Sequence, residues 1–299
     1  MPQPEKPRNR SGYSREETEQ VVAACLTLAV TLGAYMDDIA IIGGLVPSLL
    51  IDIGRESDHI DDDMHPGTND LDVALTIALL DDGRYAEISQ RLKQEDFGPD
   101  QTADGNDVLQ RWKAKDMSVT IDFLIAPVDK EMRPGRIHKL EPDFGAVIAP
   151  GTELAFDERV IVELEGHTLA GEHATRSIGV CGPGAFVVLK ALAFADRGER
   201  KDAYDLVYVI RGWPKGTADI VQRLVAHSQS HREIVLRALG FLARDFATID
   251  EVGPQRAARF EIVEPASGDA LDIAAADARG HVRDVLRGCA RAGLIAESN

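Results

Sequence analysis

The sequence predicts an α+β fold, in which a mixed sheet with flanking helices is followed by a helical C-terminal part. Three segments, 69–77, 107–114 and 118–126, have the composition and alternation of half-buried strands. A short apolar strand that ends in a glycine pair is predicted at 38–44. Beyond Pro183 the spacing of apolar residues becomes helical. Strands that come first and helices that follow are typical of α+β proteins.

Local signals place the other elements. Ser14 and Glu17 form a capping-box pattern, which predicts a helix over about Arg15–Leu32. The stretch "RVIVELEGHTLAG" favours a β-hairpin with its turn around Glu165–Gly166. Further helices are predicted at 45–51, 84–95, 184–197, 202–211, 216–228, 231–247 and 270–292.

The composition indicates a folded, acidic protein. With 299 residues and 44% hydrophobic content, the chain can form one large domain or two smaller ones. Fifty acidic residues against 33 basic ones give a net charge of −17, which disfavours a large nucleic-acid footprint. The three cysteines are far apart in the sequence, as expected in a reducing cytoplasm. No apolar run is long enough for a membrane span, so we expect a cytoplasmic protein without a membrane partner.

The change of pattern near Gly182–Pro183 suggests how the chain is divided. Residues 1–13 are polar and are expected to be a disordered lead-in. Residues 14–182 form the predicted α+β domain, and residues 183–299 form the predicted helical C-terminal domain.

Three aspartates interrupt the predicted strands. In "NDLDVALTI" the larger apolar residues face one side, so Asp70 and Asp72 face the other, about 7 Å apart along the strand. In "SVTIDFLIA", Asp122 also points away from the apolar face. Carboxylates this close raise each other's pKa unless a cation lies between them, and oxygen ligands suit Mg²⁺ or Mn²⁺. If the two strands are neighbours, the aspartates can bind one or two metal ions, although a solvated edge strand would also tolerate them.

Two further motifs contain groups that suit phosphate. Gly43–Gly44 lies where a strand ends and a helix begins, and free N–H groups there favour a phosphate, although a plain turn is the simpler interpretation. Lys190 and Arg197 share one face of an otherwise apolar helix, where a lysine either extends to solvent or meets an anion. Asp202 lies near the start of the next helix, where a carboxylate also serves as a cap, and Asp205 follows one turn later.

Together these motifs resemble the nucleotidyltransferase-fold superfamily. Its signature is Gly-Gly or Gly-Ser at a strand–helix turn, then an apolar-flanked Asp-x-Asp, then a third aspartate on a later strand. Here these are "IIGG", "NDLDVAL" and "VTIDFL". The lysine helix and "ERKDAYDL" are more narrowly similar to the AbiEii/AbiGii toxin-type nucleotidyltransferases, and the resemblance covers roughly residues 38–215. The 26-residue spacing from Gly44 to Asp70 is longer than in minimal members, and Lys201 stands where the family usually has arginine.

The resemblance implies a metal-dependent enzyme that transfers a nucleoside monophosphate from an NTP to an acceptor hydroxyl. The ligands of Mg²⁺ or Mn²⁺ would be Asp70, Asp72 and Asp122. Asp122 would also be the general base, and Lys190 would neutralise the triphosphate. The other residues that would contact or surround the nucleotide are Gly43, Gly44, Thr68, Arg197, Asp202 and Asp205.

The sequence does not single out one acceptor. The toxin-like relatives modify the 3′ end of tRNA, and an antitoxin protein or RNA encoded nearby would be a further partner. The net charge fits a tRNA acceptor poorly, so a small-molecule acceptor, as in aminoglycoside nucleotidyltransferases, is an alternative. A catalytically silent nucleotide-binding member of the fold is another. The basic stretch 133–139 is the best candidate for a contact with RNA or nucleotide, although a solvated loop is the simpler interpretation, and the acidic loop 52–67 has no assigned role.

Overall fold

The computed structural model of the chain describes residues 7–52, 64–76, 83–115, 117–263 and 268–296. The chain divides into two compact units. Unit 1 contains Ser14–Val46 and Gly67–Cys181. Unit 2 contains Lys6–Tyr13, Pro47–Pro66 and Gly182–Asn299, as far as these ranges are described.

Two early segments group with the helical unit rather than with the sheet. The described residues 47–52 and 64–66 lie inside the predicted 14–182 domain but belong to unit 2. Of the predicted lead-in, residues 1–6 lie outside the described residues, and Arg10–Gly12 forms a 3₁₀ helix within unit 2. Most of the acidic loop, residues 53–63, also lies outside the described residues.

Unit 1 is built on one mixed sheet. Its strands, within the described ranges, are β1 Ile39–Ile42, β2 Asp70–Leu75, β3 Phe97–Gln101, β4 Asp107–Ala114, β5 Thr120–Ile125, β6 Ile137–Glu141, β7 Phe144–Ile148, β8 Arg159–His167 and β9 His173–Cys181. The main order across the sheet is β3-β4-β5-β2-β1-β9-β8, and β7 pairs with both β5 and β6. The pairs β1–β9, β2–β5 and β5–β7 are parallel, and the other pairs are antiparallel. The two strands that contain the aspartates are therefore direct neighbours.

Helices of unit 1 accompany this sheet. In the described part of the unit they are α1 Arg15–Leu32, α2 Arg84–Gln94 and α3 Leu154–Asp157. The helix α1 begins where predicted, because the Ser14 side chain accepts a bond from the Glu17 N–H and Glu17 accepts one from the Ser14 N–H. By length and composition the segment Arg15–Asp38 could cross a membrane, but 50% of its apolar window is buried within the protein. A core helix passes the same test, so this finding is weak evidence for a span.

An aromatic cluster forms part of the core on one face of the sheet. Trp112, Phe123 and Phe144 come from three strands and contact one another edge to face, with ring centroids between 4.9 and 6.5 Å apart. All three side chains are fully buried, and large rings supply much apolar area in a chain with few aromatics. Because side chains alternate along a strand, Arg111 and Asp122 lie on the opposite face.

Unit 2 is helical in its described part. Its α-helices are α4 Pro183–Arg197, α5 Arg200–Gly212, α6 Gly216–Ser230, α7 Arg232–Asp245, α8 Val252–Glu261 and α9 Gly268–Arg291. The helix α4 starts with a proline in its first turn, where the missing N–H costs nothing. It ends at Gly198, whose φ of 64° suits glycine. The helix α5 packs against α4 and α8, and α8 packs against α9.

The predicted α+β class, with a mixed sheet and a helical C-terminal part, is confirmed. One detail is wrong: the hairpin of β8 and β9 does not turn at Glu165–Gly166, because β8 continues to His167, which pairs with His173. The sequence prediction also omits β3, β6, β7, α3 and α8. The strand β3 contains a glycine and Pro99, residues that are depleted in strands, so only its pairing with β4 reveals it.

Candidate functional site

The aspartates of β2 and β5 lie on the less buried face of the sheet. In β2, Leu71 and Val73 are fully buried, whereas Asp70 and Asp72 are partly buried. In β5 the neighbours on both sides of Asp122 are fully buried, and Asp122 itself is partly buried. The predicted alternation is therefore confirmed in both strands.

The strand register places two of these aspartates side by side. The strands β2 and β5 are parallel, and Asp72 is the direct partner of Asp122. Neighbouring strands are about 4.8 Å apart, and direct partners point to the same face. Asp70 is the partner of Thr120, one pleat earlier. The three carboxylates thus share one face of two adjacent strands.

Gly43 lies against the Asp72 carboxylate. In the antiparallel pair of β1 and β2, Ile42 is opposite Asp72, and Gly43 comes directly after Ile42. Gly43 has a φ of 72°, which L side chains rarely adopt. A Cβ atom built there would lie 1.8 Å from Asp72 Oδ2, so only glycine fits. Gly44, which follows, is buried in the 3₁₀ helix Gly43–Leu45.

Arg111 provides a positive charge to this face. It is the register partner of Asp122 across the pair of β4 and β5. Its Nε and Nη2 atoms donate to Asp122 Oδ1 at 2.7 Å and Oδ2 at 2.5 Å, which is a bidentate ion pair. The hydrogen bond to Asp122 raises the pKa of Arg111 above its usual value, burial opposes the shift, and the charges of Asp122, Asp70 and Asp100 reinforce it. One cation therefore lies beside the in-register pair of Asp72 and Asp122.

Thr68 orients Asp70. The Thr68 side chain is buried, and its hydroxyl lies 2.9 Å from Asp70 Oδ1, to which it donates. The Asp70 carbonyl oxygen is farther from the same hydroxyl, at 3.3 Å. The residue that the resemblance assigned to phosphate thus holds the first aspartate of the Asp-x-Asp motif in place.

The oxygen donors of this face suit a divalent cation that arrives with a substrate. Mg²⁺ in nucleotide enzymes is usually bound by one or two carboxylates together with phosphates and water, rather than by a closed protein cage. Asp70 and Asp72 supply such carboxylates, and the oxygens of Asp122 keep lone pairs beyond the bonds to Arg111. In the described ranges, no three His, Cys, Asp or Glu side chains, these aspartates included, are grouped so that they could hold a metal ion by themselves. The residues present therefore fit a Mg²⁺ or Mn²⁺ ion that is coordinated by the protein and by a nucleotide together.

In unit 2, Lys190 lies between two buried aspartates. Its Nζ atom donates to Asp202 Oδ1 at 3.0 Å and to Asp205 Oδ2 at 2.8 Å. Lys190 is 6% exposed, Asp202 is 1% exposed and Asp205 is 0% exposed. The pairing of α4 with α5 explains how an otherwise apolar helix accommodates a lysine, because a buried charge needs a partner.

Two more cations complete this network. Arg197 binds Asp202 with Nε at 2.6 Å and Nη2 at 2.8 Å, and Lys201 Nζ lies 2.9 Å from both oxygens of Asp205. Burial alone would lower the pKa of Lys190, but the charges of Asp205 and Asp202 outweigh it and raise that pKa. Burial would raise the pKa of Asp205, but Lys190 and Lys201 hold it well below its usual value. These groups are therefore charged at neutral pH.

His65 is a buried partner of Asp205. Its Nε2 atom lies 2.8 Å from Asp205 Oδ1, and its Nδ1 atom lies 3.3 Å from the Ser48 hydroxyl. Its backbone N–H donates to Asp52, which also accepts a bond from the Tyr208 hydroxyl at 2.5 Å. Burial, followed by the charge of a nearby lysine, lowers the pKa of His65 to about 4. His65 is therefore neutral at pH 7, and the hydrogen-bond pattern assigns its proton to Nε2.

The structure groups the predicted site residues into two sets. Unit 1 contains Gly43, Gly44, Thr68, Asp70, Asp72 and Asp122. Unit 2 contains Lys190, Arg197, Asp202 and Asp205. Sequence reasoning missed Arg111 and His65. Alternation around Trp112 could have placed Arg111 on the polar face, whereas nothing in the sequence links His65 to a residue 140 positions away.

The function of this chain has to be inferred from its own residues. The sequence matches no model of a known protein family, and no curated protein matches it either. The geometry of the aspartates, and the motif order that resembles nucleotidyltransferases, are the observations that carry the inference.

We expect Gly43→Ala to destabilise unit 1 more than Gly105→Ala. The φ angles are 72° and 79°, so alanine meets similar backbone strain of about 1–2 kcal/mol at both sites. Only at Gly43 does the new methyl group collide with Asp72, since nothing lies within 4 Å of the Gly105 position. Urea denaturation should show a further loss of about 1–3 kcal/mol for Gly43→Ala. Equal losses in the two variants would contradict the close approach.

We expect His65 to lower the free energy of unfolding at acidic pH. The unfolded chain takes up a proton on this ring near pH 6.5, but the folded chain does so only near pH 4. The free energy of unfolding should therefore fall by up to about 1.4 kcal/mol per pH unit as the pH falls between these values. Urea denaturation at several pH values in this range gives the free energy of unfolding as a function of pH. For His65→Gln, this dependence should be shallower by the equivalent of about one proton. The matched control is His281→Gln, on the surface of α9, and an unchanged slope in His65→Gln would refute the assignment.

Proposed function

We propose that this protein is a metal-dependent nucleotidyltransferase, which moves a nucleoside monophosphate from an NTP to an acceptor hydroxyl. The observation that carries the proposal is the in-register pair of Asp72 and Asp122, with Gly43 packed against the first of them. Asp70 adds a third carboxylate to the same face. A strand pair that only had to fold would gain nothing from these like charges, whereas a cation site requires them.

The proposed cofactor is Mg²⁺ or Mn²⁺, and its proposed ligands are Asp70, Asp72 and Asp122. When bound, the cation would supply positive charge that polarises the phosphate oxygens of the nucleotide. Thr68 would keep Asp70 oriented toward it through the hydroxyl bond. Gly43 and Gly44 would contact phosphate through their backbone N–H groups, and Gly43 lets the backbone lie against Asp72, where a side chain would collide with the carboxylate.

The chain's own groups would position the reactants and accept one proton. The acceptor oxygen attacks the α-phosphorus in line, so that a new O–P bond forms while the bond to the β-phosphate oxygen breaks and pyrophosphate leaves. Asp122 takes the hydroxyl proton on a lone pair that Arg111 does not use. Arg111 holds Asp122 in one orientation. Most of the rate enhancement would come from positioning and charge.

Lys190 is the cation that we propose for the nucleotide triphosphate. Its raised pKa keeps it charged, which suits an anion. It now donates to Asp202 and Asp205, so a phosphate oxygen would have to replace or share one of these partners. Arg197, Asp202 and Asp205 are the other residues of unit 2 that we propose for nucleotide binding.

The proposed role is that of a toxin-like enzyme of a toxin–antitoxin or phage-defence system, which acts on tRNA in the cytoplasm. An antitoxin protein or RNA would be its regulatory partner. Lys113 and Arg111 of β4 lie on the same face of the sheet as Asp122 on β5, so Lys113 would supply a positive charge for the phosphates of a tRNA acceptor beside the carboxylates. A polycationic aminoglycoside is the alternative acceptor.

A second candidate is a catalytically silent nucleotide-binding protein. The bidentate bond of Arg111 to Asp122 favours it, because both oxygens of the proposed base already accept bonds. The two candidates differ in whether any nucleotide is transferred.

We expect label from an α-³²P NTP to be transferred to tRNA in the presence of Mg²⁺. Asp72→Ala should lower the transfer by about a hundredfold or more. The matched control is Asp104→Ala, an exposed aspartate in a turn of unit 1, and it should retain activity. Label on an aminoglycoside alone would indicate the alternative acceptor. Nucleotide-dependent thermal stabilisation without transfer would indicate the silent protein, and the lack of both would refute the proposal.

We expect Arg111→Gln to make stability depend on divalent cations. Without the guanidinium, Asp122 is left beside Asp72 with no cation bonded to it, which costs about 1–3 kcal/mol in the presence of EDTA. Mg²⁺ or Mn²⁺ should restore more stability to this variant than to the original chain, as measured by thermal unfolding. Lys113→Gln, on the same face and opposite Thr120, is the control. An effect of Mg²⁺ that is equal in both variants would contradict a cation site at these carboxylates.

A further inference from the structure

A cavity in unit 2 has a strongly basic lining. Its volume is about 320 Å³, and it lies where four parts of the unit meet: the segment before Tyr13, the start of α5, the end of α8 and the start of α9. Its lining residues, called here the arginine cavity, are Arg8, Asn9, Arg200, Arg259, Ile262 and Leu271. Three arginines and one asparagine therefore line one small space.

The segment that contributes Arg8 and Asn9 is anchored to unit 2. The Tyr13 ring packs against Phe260, with the ring centroids 5.8 Å apart. Arg10 donates a hydrogen bond to the carbonyl oxygen of Met64 at 3.3 Å. These contacts hold the segment next to α5 and α8, where Arg8 and Asn9 line the cavity.

The charges of Arg200 and Arg259 have little compensation from the described residues. Arg200 donates to the carbonyl oxygen of Arg8 at 3.4 Å, which brings two cationic residues together. Across the described ranges, neither Arg200 nor Arg259 has a carboxylate within ion-pair distance. Two acidic residues that lie near them in sequence have other partners, since Glu261 accepts bonds from Arg211 and Asp202 accepts bonds from α4.

The starts of two helices add positive charge at the cavity, whereas the end of α8, which also lines it, opposes them. Arg200 is the first residue of α5, and Leu271 lies in the first turn of α9. Both helices have more than three turns, and each therefore presents the positive end of its dipole toward this region. In a protein with a net charge of −17, such a concentration of positive potential selects an anion.

We propose that the arginine cavity binds a small ligand with two or more linked phosphate groups, either pyrophosphate or the polyphosphate chain of a nucleotide. Guanidinium groups match phosphate oxygens in pairs, and three of them suit a charge of about −3 to −4 better than a single phosphate. Ile262 and Leu271 supply an apolar wall for a nucleoside. The small volume disfavours a nucleic-acid strand. The site consists of unit 2 residues alone and does not depend on the proposed transfer reaction.

Calorimetric titration of the full chain tests the proposal. Pyrophosphate, ATP, inorganic phosphate and a short oligonucleotide should each be titrated in EDTA, so that no divalent cation assists binding elsewhere. We expect pyrophosphate or ATP to bind more tightly than phosphate. The double variant Arg200→Gln/Arg259→Gln should weaken that binding by tenfold or more, because two charge-assisted hydrogen-bond donors are lost.

Matched variants separate this site from the proposed active site. Arg232→Gln/Arg237→Gln removes the same charge from the exposed face of α7 and should leave the affinity unchanged within about twofold. Asp72→Ala should also leave it unchanged, even where it abolishes transfer. The proposal is overturned by a lack of pyrophosphate and ATP binding in EDTA, by equal losses in the two double variants, or by binding of the oligonucleotide alone. A difference in affinity between pyrophosphate and ATP shows whether the cavity prefers free pyrophosphate or the polyphosphate chain of a nucleotide.

Discussion

The in-register placement of Asp72 beside Asp122 is the constraint on which the proposed site depends. Carboxylates that are direct partners on adjacent strands repel each other, and the strands cannot slip by one residue without turning Leu71 and Val73 out of the core. The repulsion must therefore be balanced by nearby chemistry. Arg111 supplies one positive charge from β4, and the proposed cation would supply the rest. Charged groups that repel each other in the folded protein are concentrated at functional sites.

In unit 2 the clustered charges are buried, unlike the partly exposed aspartates of the sheet. Asp202 and Asp205 are almost inaccessible, and each accepts bonds from two cationic side chains. Such a network contributes little net stability relative to an apolar core, but the loss of one partner leaves a buried charge without compensation. It therefore fixes how α4 and α5 pack and keeps Lys190 in one position. Positional control of this kind is what a phosphate-binding lysine needs.

Local patterns in the sequence predict the elements of the candidate site but not the contacts between them. The alternation in β2 and β5 correctly gives the polar face, and the capping box of α1 correctly gives its first residue. The pairing partner of a strand is set by distant residues, so the Arg111–Asp122 bond could not be inferred even though both strands were. The burial of His65 against Asp205 is still harder to foresee, because it joins a polar loop to a helix far along the chain.

The directions of the pKa shifts limit which groups can move a proton in the proposed reaction. Lys190 has a raised pKa and holds its proton at neutral pH, so it can stabilise charge but cannot act as a base. Asp205 has a strongly lowered pKa because two lysines surround it, which makes it a weak proton acceptor. His65 is neutral, but its Nδ1 faces the Ser48 hydroxyl inside unit 2 and the ring is fully enclosed. None of these three groups therefore replaces Asp122, the proton acceptor of the proposed reaction, which is partly exposed on the sheet.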